Sequence, residues 1–340
     1  MMGKVYQSFA FFARKMLFRL TLKKEFYILF VKESCEKEKR MPKISVIIPV
    51  YKVENTLKEC LDSVLNQTFH DIEVICVNDG SPDKCGQILN EYAQKDNRIK
   101  VIHQENKGLS GARNTGLNVI TGKWVVFVDS DDALPVYALE TMHTIACKAG
   151  VPVVASRCRL KLGENHPNET NPAYQIKHNG LADFVQDNKI FSSACNKLYA
   201  ADLWKQIRFE EGMLFEDWPV LTILFGTITD YATTDMPCYV YRENNISITR
   251  SAFSIKKIDS YVKGIRMVYN AFQGTDKLPV ARVRMAVAVK MLVNKVYHAK
   301  DKELNQYLLA QMKILFEEGV IQKRHLNWKT RWRLLCLRYK

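Results

Sequence analysis

The chain has 340 residues, 47% apolar and only 10 prolines, enough to bury a large core and unlike a disordered or fibrous protein. Its formal charge of +14 sits at the ends: residues 1–40 carry ten Lys/Arg against four Glu, residues 321–340 carry seven Lys/Arg and no acid, and the body keeps about +1. A nearly neutral body does not suit a groove that tracks phosphates, so no nucleic acid is expected as a partner, and the basic ends suit an anionic membrane surface.

No apolar run reaches the roughly 18 residues needed to span a bilayer, because Arg14, Lys15, Arg19, Lys23 and Lys24 interrupt the N-terminal segment. The chain is expected to lie on a membrane without crossing it. Nine scattered cysteines with no C-x-x-C pair indicate neither a disulfide framework nor a zinc site, which fits a reducing compartment.

After a basic extension at 1–40, Ile44 to Val50 is a nearly all-apolar run of the kind a fully buried strand needs. Leu57, Leu61, Val64 and Leu65 then recur at helical spacing. The unit repeats: strand Ile72 to Val77, then a helix expected to start at Ser81-Pro82 with Ser81 as cap and Ile88, Leu89 and Tyr92 on its inner face. A strand at Ile99 to Ile102, a loop at His103 to Leu109, a helix to about Ile120 and a strand at Trp124 to Val128 follow. Alternating β and α units with apolar strands predict an α/β fold with a mostly parallel sheet flanked by helices. Gly163 to Asn179, with Pro167 and Pro172, reads as a surface excursion or β-ribbon, and Ile255 to Gly319 carries three amphipathic helical patterns. The expected division is 1–40, a domain at 41–250, and a helical region at 251–340.

In open α/β sheets ligands bind beyond the carboxyl ends of the strands, and here those ends carry polar clusters: Pro49-Val50-Tyr51, Asn78-Asp79-Gly80-Ser81 and Asp129-Ser130-Asp131-Asp132. Asp and Gly are common turn residues, but aspartates following apolar strands at one sheet edge serve no packing need. Asp-x-Asp with a further Asp concentrates negative charge suited to a hard cation, Mn²⁺ or Mg²⁺, that keeps positions open for phosphate oxygens. A dehydrogenase would need G-x-G-x-x-G after the first strand, where the chain reads Pro-Val-Tyr-Lys-Val-Glu-Asn, and a Walker loop is absent too.

These motifs resemble the family 2 inverting glycosyltransferases of the GT-A fold. The resemblance runs from about Lys43 to Arg250 and rests on I-S-V-I-I-P-V-Y, V-N-D-G-S, N-K-G-L-S-G-A-R-N-T-G-L and V-D-S-D-D, followed by N-K-L-Y at 196–199 and F-E-D-W at 215–218. It implies that Pro49, Val50, Tyr51 and Glu54 line the nucleotide pocket and that Asp79 bonds the uracil or its ribose. It also implies that Gly80, Lys107 and Ser130 border the donor, that Arg113 sits by the base or phosphates, that Asp129 contacts the ribose or sugar and that Asp131 ligates the metal. Asp217 is implied as the catalytic base, with an N-cap ahead of Trp218-Pro219 as its plain alternative; for Glu54 and Lys107 that alternative is an ordinary surface charge.

The processive signature Q-x-x-R-W is missing, since Trp328 stands three before Arg331, so one sugar is expected per turnover. The implied donor is a UDP-hexose or UDP-N-acetylhexosamine, and the implied acceptor a saccharide or lipid-linked saccharide of surface polysaccharide synthesis. A sugar nucleotidyltransferase and an inactive sugar-binding relative are the alternatives. Aromatic and basic residues alternate at both ends, Phe9 to Leu20 and Trp328 to Arg338, which predicts a cytoplasmic protein attached peripherally to the inner face of the cell membrane.

Overall fold

A computed structural model describes residues 43–161, 163–164, 172–243 and 252–337. The basic extension at 1–40 lies outside these residues, as do 165–171 and 244–251.

Each run of apolar β-branched residues forms a strand buried on both faces: β1 Ile44–Val50, β2 Ile72–Asp79 and β4 Trp124–Phe127, with the more exposed β3 Ile99–Gln104 at the sheet margin. Between them run α1 Leu57–Leu65, α2 Cys85–Lys95 and α3 Gly108–Leu117. The chain continues through α4 Ala138–Ala149, β5 Val153–Ser156, β6 Leu160–Lys161, β7 Tyr174–Lys177, α5 Gly180–Gln186, β8 Lys197–Ala200, α6 Asp217–Thr227, β9 Tyr231–Thr234 and β10 Val240–Tyr241. Four helices follow: α7 Ile255–Phe272, α8 Leu278–Ala299, α9 Lys302–Glu317 and α10 Trp328–Cys336. The first three coincide with the three amphipathic patterns.

The main sheet has the order β3-β2-β1-β4-β8-β5-β9-β7. Only β8 and the edge strand β7 run against the other strands, so the sheet is mostly parallel, as expected. Within the segment read as a surface excursion or β-ribbon, β7 joins the main sheet beside β9, while β6, just ahead of it, pairs in parallel with β10. Two boundaries also move. Helix α2 starts at Cys85, not at Pro82, because Ser81 turns its hydroxyl to Asp83, and Asp83 Oδ1 accepts from Cys85 N at 3.1 Å. Helix α3 begins two residues earlier than expected and ends three earlier.

Helix α3 lies close against β1 because Gly116 has no side chain; a Cβ there would come within 2.5 Å of Ile47 Cγ2. The main core gathers Ile44 to Tyr239, and a second core gathers α7 to α10 together with Leu181 and Trp218. Helix α6 therefore faces two cores, with Val220, Leu221, Leu224 and Phe225 in one and Trp218 in the other. Among the described residues seven cysteines are free thiols, five of them buried. Among the described residues no helix is long and apolar enough to cross a membrane.

Candidate active site

The parallel register sets Val50 beside Asn78 and Ile47 beside Phe127, so β1, β2 and β4 end together and deliver their polar residues to one edge. Pro49 and Val50 are buried there and Tyr51 is exposed, with Lys52 Nζ 5.1 Å from its ring centroid. The turns after β1 and β2 are stitched together. Lys52 N donates to Ser81 Oγ at 2.7 Å, Glu54 N to Asp83 Oδ2 at 3.2 Å, and Lys84 N to Glu54 Oε2 at 2.9 Å. Glu54 thus holds the start of α2 in place and is more than a surface charge. Asp79 is buried, and its Oδ1 accepts from Lys107 N at 2.8 Å and Gln104 Nε2 at 2.6 Å, tying the end of β2 to the start of α3. Gly80 has φ +66°, and a Cβ on it would sit 3.0 Å from Asn106 N, so this turn excludes other residues. The Lys107 side chain itself is exposed.

Arg113, on α3, is the hub of the site. Its Nη1 donates to Glu216 Oε1 at 2.6 Å and Asp217 Oδ1 at 2.7 Å, and its Nη2 to Asp129 Oδ1 at 3.0 Å. The guanidinium stacks 5.2 Å from the Phe209 ring and is 1% exposed. Burial works against its charge, but Asp217, Asp129 and Glu216 together raise its pKa well above the usual arginine range. Both terminal nitrogens of Arg113 thus face carboxylates, two at the start of α6 and one after β4. Asp217 is the first residue of α6, and Glu216, at the cap position, makes no side-chain capping bond. Asp217 keeps 21% of its side chain exposed against 7% for Glu216. Burial, with the charge of Asp217 next, pushes the Glu216 carboxyl up.

The turn after β4 divides its acids by role. Asp132 Oδ2 accepts from Tyr239 OH at 2.8 Å and Oδ1 from Arg242 N at 2.8 Å, so this carboxylate anchors the returning strand β10. Burial, then the charge of Asp129, pushes its carboxyl up to about 7. Tyr239 OH also accepts from Asp129 N at 3.2 Å, and Arg242 Nε donates to the Asp131 carbonyl at 3.0 Å. Ser130 is buried, and its carbonyl accepts from Thr56 Oγ1 at 3.3 Å. Asp129 and Asp131 are half-exposed at the mouth. Among the described residues no group of three or more His, Cys, Asp or Glu side chains is placed to hold a metal ion by itself. Carboxylates in excess of one buried guanidinium fit a hard divalent ion that completes its shell with phosphate oxygens and water.

Sequence reasoning missed Phe209, Tyr239 and Arg242, while Glu216, within F-E-D-W, is the alternative to Asp217 as base. None carries a periodicity or spacing signal, because each acts through contacts distant in the chain. The N-K-L-Y motif proves structural: Asn196, at φ 65°, donates from Nδ2 to the carbonyls of Ser156 at 3.0 Å and Cys158 at 3.2 Å.

Residues 45–208 match the profile of Glycosyl transferase family 2. The putative glycosyltransferase EpsH of Bacillus subtilis is 46% identical over 82% of this chain and 81% of its own length. The chain is a family 2 glycosyltransferase. Glycosyltransferase GlyA of Streptococcus pneumoniae is 37% identical over 61% of this chain, although the chain spans only 32% of GlyA. Among solved structures, Staphylococcus aureus TarS 1–349 in complex with UDP-GlcNAc aligns over 87% of this chain and 89% of that one, with a TM-score of 0.60 at 20% identity. That likeness shows the GT-A fold.

Proposed function

We propose that this family 2 enzyme transfers one sugar, with inversion, from a UDP-hexose or UDP-N-acetylhexosamine to an acceptor hydroxyl, with Asp217 as the base. The observation that carries the reading is that a single buried guanidinium, Arg113, joins Asp129 on the donor side to Asp217 on the acceptor side. The acceptor oxygen forms its bond to the anomeric carbon while the bond to the diphosphate breaks on the opposite face. The electron pair leaves with UDP, and the acceptor proton passes to the exposed oxygen of Asp217, a step worth about 10²- to 10⁴-fold in rate. Asp79 and the edge formed by Pro49, Val50 and Tyr51 hold the base and ribose, Lys107 and Gly80 border them, and Asp129 with Ser130 orients the sugar. Asp131 is the residue that would hold Mn²⁺ or Mg²⁺, whose charge offsets that growing on the leaving diphosphate. TarS, of the same fold, binds UDP-GlcNAc, which supports the choice of UDP.

The proposed acceptor is a lipid-linked oligosaccharide in surface polysaccharide synthesis. The catalytic domain spans residues 41–250, and 251–340 is a helical region that reaches the inner membrane face. Support comes from α10, where Trp328, Trp332 and Leu335 are 71%, 52% and 54% exposed at i, i+4 and i+7, interleaved with Lys329, Arg331 and Arg333. UDP release from a panel of UDP-sugars, with Mn²⁺, with Mg²⁺ and with EDTA, tests the reading. Release from at least one donor that requires a divalent ion is expected; no release from any donor defeats it.

A further inference from the structure

On the far side of β4 from Asp79, a strip at residues 191–195 is held by three cations. Lys197 Nζ donates to the carbonyls of Phe191 at 2.7 Å, Ser193 at 2.8 Å and Cys195 at 3.4 Å. Arg159 donates from Nη2 to Ser193 Oγ, and Arg284 from Nη2 to Ser192 Oγ. Among the described residues none of the three forms an ion pair with a carboxylate, although partly buried cations ordinarily have one. The shortage of negative charge shows at Lys197, where burial, then the charge of Arg159, lowers the amine to about 7.

Arg159 is the member of this group that lies against exposed aromatic rings. Its guanidinium carbon lies 3.9 Å from the Phe191 ring centroid, 5.6 Å from Tyr239 and 5.9 Å from Tyr241, and its buried Nε has no partner. Phe191 and Tyr241 each leave 37% of their surface to solvent. Two features place this cluster beside the reacting centre. Tyr239, one wall of it, bonds Asp132 and the backbone of Asp129. Cys195, at the other end of the strip, is buried and within reach of the charges of Asp129, Arg113 and Asp217. Arg159 follows β5, two strands beyond β4, whereas Asp79 ends β2 on the opposite side, so the cluster lies where an acceptor enters and away from the nucleotide.

We propose that Arg159, framed by the rings of Phe191 and Tyr241, is an acceptor subsite for an anionic group, a phosphate or carboxylate carried by a saccharide. The rings stack on the sugar face and the guanidinium supplies the missing ion pair. This assignment rests on the transferase reading above and adds a charge requirement to the acceptor.

The test uses the full chain saturated with UDP and Mn²⁺, so that the donor site is filled, and measures binding of glucose 6-phosphate, galacturonate and their neutral counterparts glucose and galactose by calorimetry. The wild type is expected to bind at least one charged sugar ~10-fold or more tighter than its neutral counterpart. Arg159→Gln should abolish that preference, Arg159→Lys should retain part of it, and Phe191→Ala should weaken charged and neutral sugars alike. Glucose 6-phosphate against galacturonate tells phosphate from carboxylate as the source of the anion. UDP affinity equal to wild type verifies that each variant is folded. Equal binding of charged and neutral sugars by the wild type, or an undiminished preference in Arg159→Gln, overturns the proposal. Failure of the wild type to bind UDP or to release it from any donor counts against the transferase reading instead, and leaves the comparison at Arg159 readable.

Discussion

Arg113 Nη1 lies 2.7 Å from Asp217 Oδ1, joining α3 to the first residue of α6 across 104 positions of sequence. The same nitrogen holds Glu216, and the second terminal nitrogen holds Asp129, so one side chain sets the spacing between the two sides of the pocket. A planar fork with fixed N–H directions can do this, whereas a single ammonium cannot.

Arg113→Met therefore leaves a buried Glu216 without a counter-charge and should cost about 3–5 kcal/mol of stability, read by urea unfolding. Arg113→Lys keeps the charge without the fork; it should remain folded and lose at least ~10-fold in turnover, with UDP affinity little changed. A Met variant as stable as wild type would show that Arg113 does not hold these carboxylates together.

Asp217→Asn keeps the shape of the side chain and removes its capacity to take a proton. Binding of the UDP-sugar should stay near normal while turnover falls by ~10² or more. Near-normal turnover would move the role to Glu216, whose raised affinity for protons suits a base but whose burial hinders contact with an acceptor.

At Asp131, replacement by Ala should abolish transfer and weaken UDP binding in Mn²⁺ far more than in EDTA, because the carboxylate acts on the nucleotide through the ion. Titration calorimetry under both conditions gives the comparison, and equal UDP affinity of mutant and wild type in Mn²⁺ would rule the ligand role out.

Membrane attachment through α10 calls for surface substitutions and not truncation, since Ile321, Leu326 and Leu337 are buried in the second core and removal of residues 321–340 would open it. Trp328→Ala with Trp332→Ala leaves that core intact and should sharply reduce co-sedimentation with phosphatidylglycerol liposomes at low salt. Binding unaffected by the double substitution means that the exposed tryptophans serve another purpose.

His143 sets a pH limit on stability. Packed 4.6 Å from the Phe69 ring centroid, it is lowered to about 4, by burial first and then by the charge of Lys43. The unfolded chain binds this proton more readily than the folded one, so the contribution of the neutral ring is present above about pH 6.5 and is lost as the pH falls toward 4. The loss is on the order of 2–3 kcal/mol. His143→Phe should flatten the stability curve between pH 6.5 and 4 relative to wild type; parallel curves would show that His143 does not titrate in that range.

Much of this molecule was legible in its residues before any coordinates. Strands β1, β2 and β4 are buried on both faces, and that burial demands unbroken apolar runs, so Asp79, Asp129 and Asp131 stand out as polar residues at strand ends. Helices α7, α8 and α9 were legible for a similar reason, since a helix packed on one side repeats every 3.6 residues. Local chemistry was less decisive: Ser81 looks like a cap, yet the helix starts only at Cys85, because Ser81 Oγ is taken up by Lys52 N and Asp83 Oδ1. What the sequence could not contain is any partnership that closes only when distant segments meet. Arg113 with Asp217, Asp132 with Tyr239, and Arg159 with Phe191 and Tyr241 obey no period and occupy no fixed spacing. Charges and rings are paired by distance in space, and that distance exists only after the two cores have packed.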